Sequence, residues 1–171
     1  GYALREKLAV GGMAEVFLAR HCGVEGFQKE IVIKRIRPHL SEVPSFVSMF
    51  LQEAKLAAQL SHANIVQIYD LGKIGDSYFI AMEYVAGRDF SALMPKARKA
   101  NIPFPLEYAF KIGGAACDAL HYAHNKTDAF GVPLHIVHRD VTPENIRVAW
   151  TGSVKLLDFG IAKAATQLHE T

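Results

Sequence analysis

Over the first 36 residues, apolar positions come in short runs punctuated by glycine. Leu4, Leu8, Val16, Leu18 and the run Ile31-Val32-Ile33 are separated by Gly11-Gly12, Gly23 and Gly26, the pattern of strands joined by turns. The spacing then changes and predicts a helix over 44–60, with Ser41 or Ser45 as its N-cap. Two more strands are expected over 65–71 and 78–85, joined by a turn at 72–76. From Phe90 the apolar period is helical, and 105–124 is the longest amphipathic stretch. Turn residues at 125–133 lead into short strands expected from Ile136 onward. Strands with one helix, followed mainly by helices, predict an α+β chain of two lobes with a crevice between them. No internal repeat or low-complexity segment interrupts the order.

The 44–60 helix contains an anomaly. Phe46, Phe50, Ala57 and Leu60 form one stripe, and Glu53 lies on it. A carboxylate facing a core is costly unless it meets a cation. Lys34 is the candidate partner, since it shares one strand face with Val32 and Ile36. A position at the stripe's edge, reaching water, is the other reading, and spacing does not choose between them.

A second constellation follows from hairpin register. The strand-like segments 146–150 and 153–157 flank Thr151-Gly152. A two-residue loop pairs Trp150 with Ser153 and, continued outward, sets Asn145 opposite Asp158. Directly opposed residues have Cα atoms ~4.5–5.5 Å apart. An amide oxygen beside a carboxylate is hard-ligand chemistry, suited to Mg²⁺ held partly by phosphates. Asp140, five residues before Asn145, enters the same place. Each residue alone could serve as a turn or cap; three convergent polar groups together with Lys34 speak against that. Between two strands lies Ala9-Val10-Gly11-Gly12-Met13-Ala14-Glu15-Val16, where glycines allow backbone N–H groups to approach phosphate oxygens. By itself this run reads equally as a turn, and the strand after it argues against a dinucleotide loop.

Composition narrows the function classes. In 171 residues, half hydrophobic and 21% charged, the net charge is only +2. That is too little to argue for nucleic acid or an anionic membrane as partner. No signal peptide or membrane-spanning run is evident. Cys22 and Cys117 are the two cysteines; without metal-like spacing they read as incidental or buried thiols, compatible with a reducing, cytoplasmic setting.

Taken in order, these residues resemble the protein kinase superfamily, and most of all the bacterial eukaryotic-like (Hanks-type) serine/threonine kinases. Ile31-Val32-Ile33-Lys34 is similar to the lysine strand and Glu53 to the helix glutamate. Met82-Glu83-Tyr84-Val85 resembles the gatekeeper and hinge. His138-Arg139-Asp140-Val141-Thr142-Pro143-Glu144-Asn145 resembles the catalytic loop, and Asp158-Phe159-Gly160 the metal motif. The resemblance implies a small lobe (1–82) of antiparallel sheet plus one helix, a hinge (83–89), and a mainly helical, incomplete large lobe (90–171). It implies ATP with Mg²⁺, or Mn²⁺ in its place, and protein serine or threonine hydroxyls as acceptors. Lys34 would bind the α- and β-phosphates, held by Glu53. Gly11 and Gly12 would close over the phosphates, and Val16 and Val32 over the adenine. The backbone of Glu83 and Val85 would bind the adenine and Asp89 the ribose. Asn145 and Asp158 would ligate metal, while Asp140 would orient the acceptor hydroxyl and take its proton. His138 and Phe159 would pack structurally.

Several positions depart from the family pattern. Ala9 and Ala14 stand where the outer glycines of the phosphate loop belong, and Val32 replaces an alanine above the base. Thr142 replaces a lysine that contacts the γ-phosphate; it can orient substrate but supplies no charge. Arg147 replaces an apolar adenine floor, with its stem expected under the base and its guanidinium in water. These last two motivate an alternative, a pseudokinase-like module that binds nucleotide or partners with weak or no transfer. A small-molecule phosphotransferase with a related fold is a third class. The end of the chain falls within the expected activation segment, so a fragment of a longer protein is expected, inactive alone, with an exposed apolar face on 105–124. Self-association or autophosphorylation is compatible with this reading, and Thr166 and Thr171 are candidate acceptors. The expected location is cytoplasmic without membrane contact from this segment, although a region outside it could tether the full-length protein. His121, His124, His135 and His138 lack the partners of a metal site, and Asp128-Ala129-Phe130-Gly131 is taken as a chance echo of the metal motif.

Overall fold

The computed structural model of the protein describes residues 1–159. Gly160, Thr166 and Thr171 lie outside the described residues. The chain divides into two compact units, one formed by Gly1–Gln59 with Gln67–Tyr84, the other by Leu60–Val66 with the chain from Val85 onward.

The first unit is a five-stranded antiparallel sheet with one helix. Strands β1 (Tyr2–Val10), β2 (Ala14–Cys22), β3 (Gln28–Ile36), β4 (Ile68–Ile74) and β5 (Ser77–Glu83) are ordered β1-β2-β3-β5-β4. Alternation gives the sheet two apolar faces. Phe17, Ala19, Ile31, Ile33, Phe79 and Ala81 pack together on one. On the other, Ala14, Ile36 and Ile80 pack against Phe50 and Ala54 of helix α1 (Pro44–Ala57). Burying a side chain such as Phe50 or Ile80, both nearly inaccessible, contributes about 1.5–3 kcal/mol. Neither Ser41 nor Ser45 caps α1: Val43 is the N-cap and makes no side-chain cap bond. Pro44 takes the first helical turn, where its fixed φ suits the helix and its missing N–H costs nothing.

The turn expected at 72–76 is shorter. Gly72 through Ile74 continue β4, and Gly75-Asp76 alone connect Ile74 to its partner Ser77. Gly75 has φ +57, the left-handed setting that a two-residue hairpin needs and glycine tolerates. The strand expected over 65–71 also divides differently, beginning at Ile68. Ile65 and Val66 belong to the second unit.

That unit contains helices α2 (Phe90–Lys99) and α3 (Leu106–His124) and a small sheet of β6 (Gly87–Asp89), β7 (Ile146–Ala149) and β8 (Val154–Leu156). Helix α3 buries Ile112, Ala116, Ala119 and Ala123 and exposes Leu106, Tyr108 and Phe110. The 60–66 segment lines the outer edge of β8. Val66 N–H donates to Leu156 O (3.1 Å), Leu156 N–H to Asn64 O (2.7 Å), and Asn64 Nδ2 to Val154 O (2.9 Å). Strands were expected from Ile136, yet the first in this region is β7; the 136–142 backbone runs as loop, anchored by buried Ile136 and His138. No helix among the described residues is long and apolar enough to cross a membrane.

The β7–β8 hairpin corrects the expected register. Its partners are Ile146↔Leu156, Arg147↔Lys155 and Val148↔Val154. Ala149 N–H donates to Ser153 O (2.8 Å) and Gly152 N–H to Ala149 O (2.9 Å). The loop is therefore Trp150-Thr151-Gly152, closed by Gly152 at φ +84, rather than two residues. Three-residue loops ending in a left-handed glycine are the next most common hairpin after the two-residue kind. The shift of one residue sets Leu157, not Asp158, beside Asn145, with Leu157 N–H on Asn145 O at 2.8 Å.

Candidate functional site

In the first unit, Lys34 Nζ donates to Glu53 Oε1 at 2.9 Å, with the two side chains only 15% and 11% exposed. The stripe anomaly thus resolves as an ion pair rather than an edge position. Removing one partner of a buried pair costs about 3–5 kcal/mol, so the contact also fixes α1 against β3. Val16 is the register partner of Lys34, and Leu18 of Val32, which places Val16, Val32 and Lys34 on one face of the sheet. Between β1 and β2, Gly11 N–H bonds Ala14 O at 2.8 Å. Neither Gly11 nor Gly12 has a positive φ, and a Cβ at either would meet no closer than ordinary contact. Local backbone geometry therefore does not demand glycine there. Strand positions are braced by Glu15, which accepts from Lys7 and Arg35, each at 2.7 Å; Arg35 first and then Lys7 hold its carboxyl down to about 2. Glu83, at the end of β5, donates its N–H to Gln67 O at 2.8 Å and accepts from Gln67 N–H through Oε2 at 3.2 Å.

In the second unit the loop before β7 is built around His138, which is 1% exposed. Its Nε2 lies 2.7 Å from Leu157 O, and its Nδ1 accepts from Asp140 N–H at 3.2 Å. A carbonyl on one nitrogen and an N–H on the other assign the proton to Nε2. Its ring meets Phe159 at a centroid distance of 4.6 Å. His138 thereby ties the 138–140 loop to the 157–159 segment, the packing role expected of it.

Burial pushes the His138 imidazole below its ordinary value, against the opposing pull of Leu157 O and of the Asp140 and Asp158 charges. The folded state thus prefers neutral His138. Its contribution to stability is complete above the unfolded value of about 6.5 and is lost as pH falls through the lower folded value. An NMR titration of this ring should show a midpoint below about 6.5; a midpoint at or above it contradicts the packing account.

Asn145 ends a single 3-10 turn, Pro143–Asn145. Its Nδ2 donates to both Asp140 O (2.9 Å) and Asp140 Oδ2 (3.0 Å). The amide is therefore oriented with its oxygen, Oδ1, outside these bonds. Thr142 N-caps that turn without a side-chain cap bond. Asp158 is exposed and has φ +43, while Arg139 has φ +61. Left-handed backbone is uncommon outside glycine and clusters where side chains are specially aimed. Here it brackets the site: one such residue immediately precedes Asp140 and the other is Asp158 itself. Register does not set Asp158 opposite Asn145 as expected; the chain takes a left-handed step at Asp158, one residue past Leu157.

Arg147 also departs from expectation. It stands opposite Asp89 in the β6–β7 register. Its Nη1 donates to Asp89 Oδ1 at 2.8 Å and its Nε to Val85 O at 3.2 Å. The guanidinium was expected in water and is instead held by two acceptors, because directly opposed strand residues of opposite charge pair. Gly87 was also missed. A Cβ there would lie 2.0 Å from Val148 O, so only glycine lets β6 approach β7.

Residues 2–171 match the family model described as the protein kinase domain. The chain belongs to the protein kinase family. It is 49% identical over 170 residues to the tyrosine-protein kinase MasK of Myxococcus xanthus, covering 99% of this chain and 26% of that protein. To the serine/threonine-protein kinase PknB of Mycobacterium leprae it is 37% identical over 167 residues, covering 95% and 24%. The crystal structure of the Mycobacterium tuberculosis PknI kinase domain matches with a TM-score of 0.72 at 31% identity, covering 94% of this chain and 60% of that one. The kinase chain thus spans about a quarter of the length of these curated relatives. The α+β kinase-like fold expected from the sequence is the fold observed, and family membership carries with it a general use of ATP and a divalent metal.

Proposed function

We propose that this chain forms part of the catalytic domain of an ATP-dependent protein kinase acting on serine or threonine hydroxyls. The observation that carries the reading is the Asp140–Asn145 arrangement. Two bonds from one amide hold the Asp140 main chain and carboxylate together, which fixes a base in one orientation. Asp140 orients the acceptor hydroxyl and takes its proton as the ester bond to the γ-phosphorus forms and the bond from that phosphorus to the β,γ-bridging oxygen breaks, with ADP leaving. Lys34, steadied by Glu53, binds phosphate oxygens. Gly11 and Gly12 offer N–H groups to the same phosphates, and Val16 and Val32 cover the base. With its carbonyl engaged by Arg147, Val85 contributes to base recognition through its N–H, beside the backbone of Glu83. Asp89 stands at the position that faces the ribose, and Thr142 positions substrate.

The donor set fits a hard cation. Asn145 Oδ1 and the Asp158 carboxylate would hold it, since oxygen donors of this kind suit Mg²⁺ or Mn²⁺. When bound, the metal neutralises charge on the transferring phosphoryl group. In this proposal residues 1–82 form the small lobe, 83–89 the hinge and 90–171 part of the large lobe. The protein substrates include the kinase itself, the site is cytoplasmic, and any membrane tether lies outside this segment.

The hydroxyl class is open to a second reading, because one relative is named a tyrosine kinase. Mass spectrometry of products made by the full-length protein with Mg²⁺ and ATP should find phosphoserine or phosphothreonine. Phosphotyrosine alone would overturn that part of the proposal. Lys34→Met should lower incorporation at least about a hundredfold, the scale of one lost electrostatic contact to the transition state. Unchanged incorporation would remove Lys34 from the site, and no incorporation by the unaltered protein would favour the pseudokinase alternative.

A further inference from the structure

Arg147, Asp89 and Val85 form a constellation within the second unit. Asp89 is the N-cap residue of α2, yet makes no capping bond; its Oδ1 is bound to Arg147 instead, at 2.8 Å. The arginine is only 23% exposed at its side chain and the aspartate 39%, so the pair is shielded but reachable. The second bond, from Nε to Val85 O, fixes the guanidinium plane. Asp89 would in the proposed reading accept a ribose hydroxyl. A lone carboxylate makes a charge-assisted bond roughly twice as strong as a neutral one. A carboxylate whose charge an arginine already compensates offers a hydroxyl much less.

We propose that Arg147 is a specificity-determining residue that withdraws Asp89 from ribose recognition, so that the kinase binds nucleoside triphosphates with and without the 2′-hydroxyl nearly equally. The inference rests on the nucleotide-binding reading given above and deepens it. Bonds donated in the guanidinium plane leave its faces for stacking, and a flat cation under a purine is a favourable neighbour. Base contact is thus retained while ribose discrimination is relaxed.

Titration calorimetry of the full-length protein with ATP and with 2′-deoxy-ATP tests this. The unaltered protein should bind the two within about threefold of each other. Arg147→Met, which restores an apolar floor and releases Asp89, should raise the preference for ATP to about tenfold, the scale of one hydrogen bond to a charged group. Arg147→Lys keeps a cation opposite Asp89 and should stay within about threefold. Preserved thermal midpoints establish that the variants fold, and the ratio measured on the unaltered protein carries the test if Met does not fold. A tenfold preference in the unaltered protein, or identical preferences in the Lys and Met variants, overturns the proposal. Saturable ATP binding with the wrong ratio defeats this inference alone, whereas absence of any ATP binding defeats the nucleotide reading beneath it.

Discussion

Asp140→Asn in the full-length protein should lower kcat for peptide phosphorylation by about 10²–10⁴-fold, the usual contribution of a positioned general base. The substitution is nearly isosteric. The replacement amide oxygen can still accept from Asn145 Nδ2, and the backbone bonds from Asp140 N–H to His138 and from Asn145 to Asp140 O remain. The thermal midpoint should therefore move little while activity collapses, and KM for ATP should stay close to its original value. Steady-state kinetics beside calorimetric unfolding separate the two effects. A parallel loss of folding would mean that Asp140 is structural; retention of kcat would mean that another group takes the proton.

Gly87→Ala should have the largest effect on stability. The added Cβ would lie 2.0 Å from Val148 O and 2.7 Å from Ala149 Cα. Both are backbone atoms and cannot rotate away, so β6 must separate from β7. Overpacking costs about 1–3 kcal/mol when side chains can adjust; here the cost should reach or exceed the upper end. Separation would also break the alignment that sets Asp89 opposite Arg147. Denaturant unfolding should show a lower midpoint, and an alanine variant with unchanged stability would refute the close approach of these strands.

The sequence made the coarse design legible because its signals are local. Strand runs and the 3.6-residue stripes sufficed for the α+β fold, and the order of motifs named the residues proposed for the site. Glu53 was conspicuous as a carboxylate on an apolar stripe, but only the position of Lys34 across the sheet could show that the two meet. The hairpin failed for a specific reason. Thr151-Gly152 reads as a two-residue turn, whereas Gly152 closes a three-residue one, and one residue of slip changes which side chain faces Asn145. The signal present was a glycine at the end of the loop rather than at its centre.

Other features depend on contacts far along the chain. Nothing in Ser61-His62-Ala63-Asn64-Ile65 indicates that it lines β8, where Asn64 bonds Val154, ninety positions further along the chain. The Arg147–Asp89 pair likewise requires a β6–β7 register that no periodicity encodes. The left-handed settings of Arg139 and Asp158 are not legible in residue type: arginine rarely adopts them, and aspartate, although enriched there, is far commoner in other conformations.

Phosphoryl transfer is the central claim, and the position of the label tests it most directly. The full-length protein should be supplied with Mg²⁺, a serine- and threonine-containing protein substrate, and ATP labelled at either the γ- or the α-phosphorus. The account predicts that only γ-label becomes covalently attached to hydroxyl side chains, and that Asp140→Asn abolishes the attachment. Incorporation of α-label, or equal incorporation of γ-label by the unaltered and Asp140→Asn proteins, would contradict it.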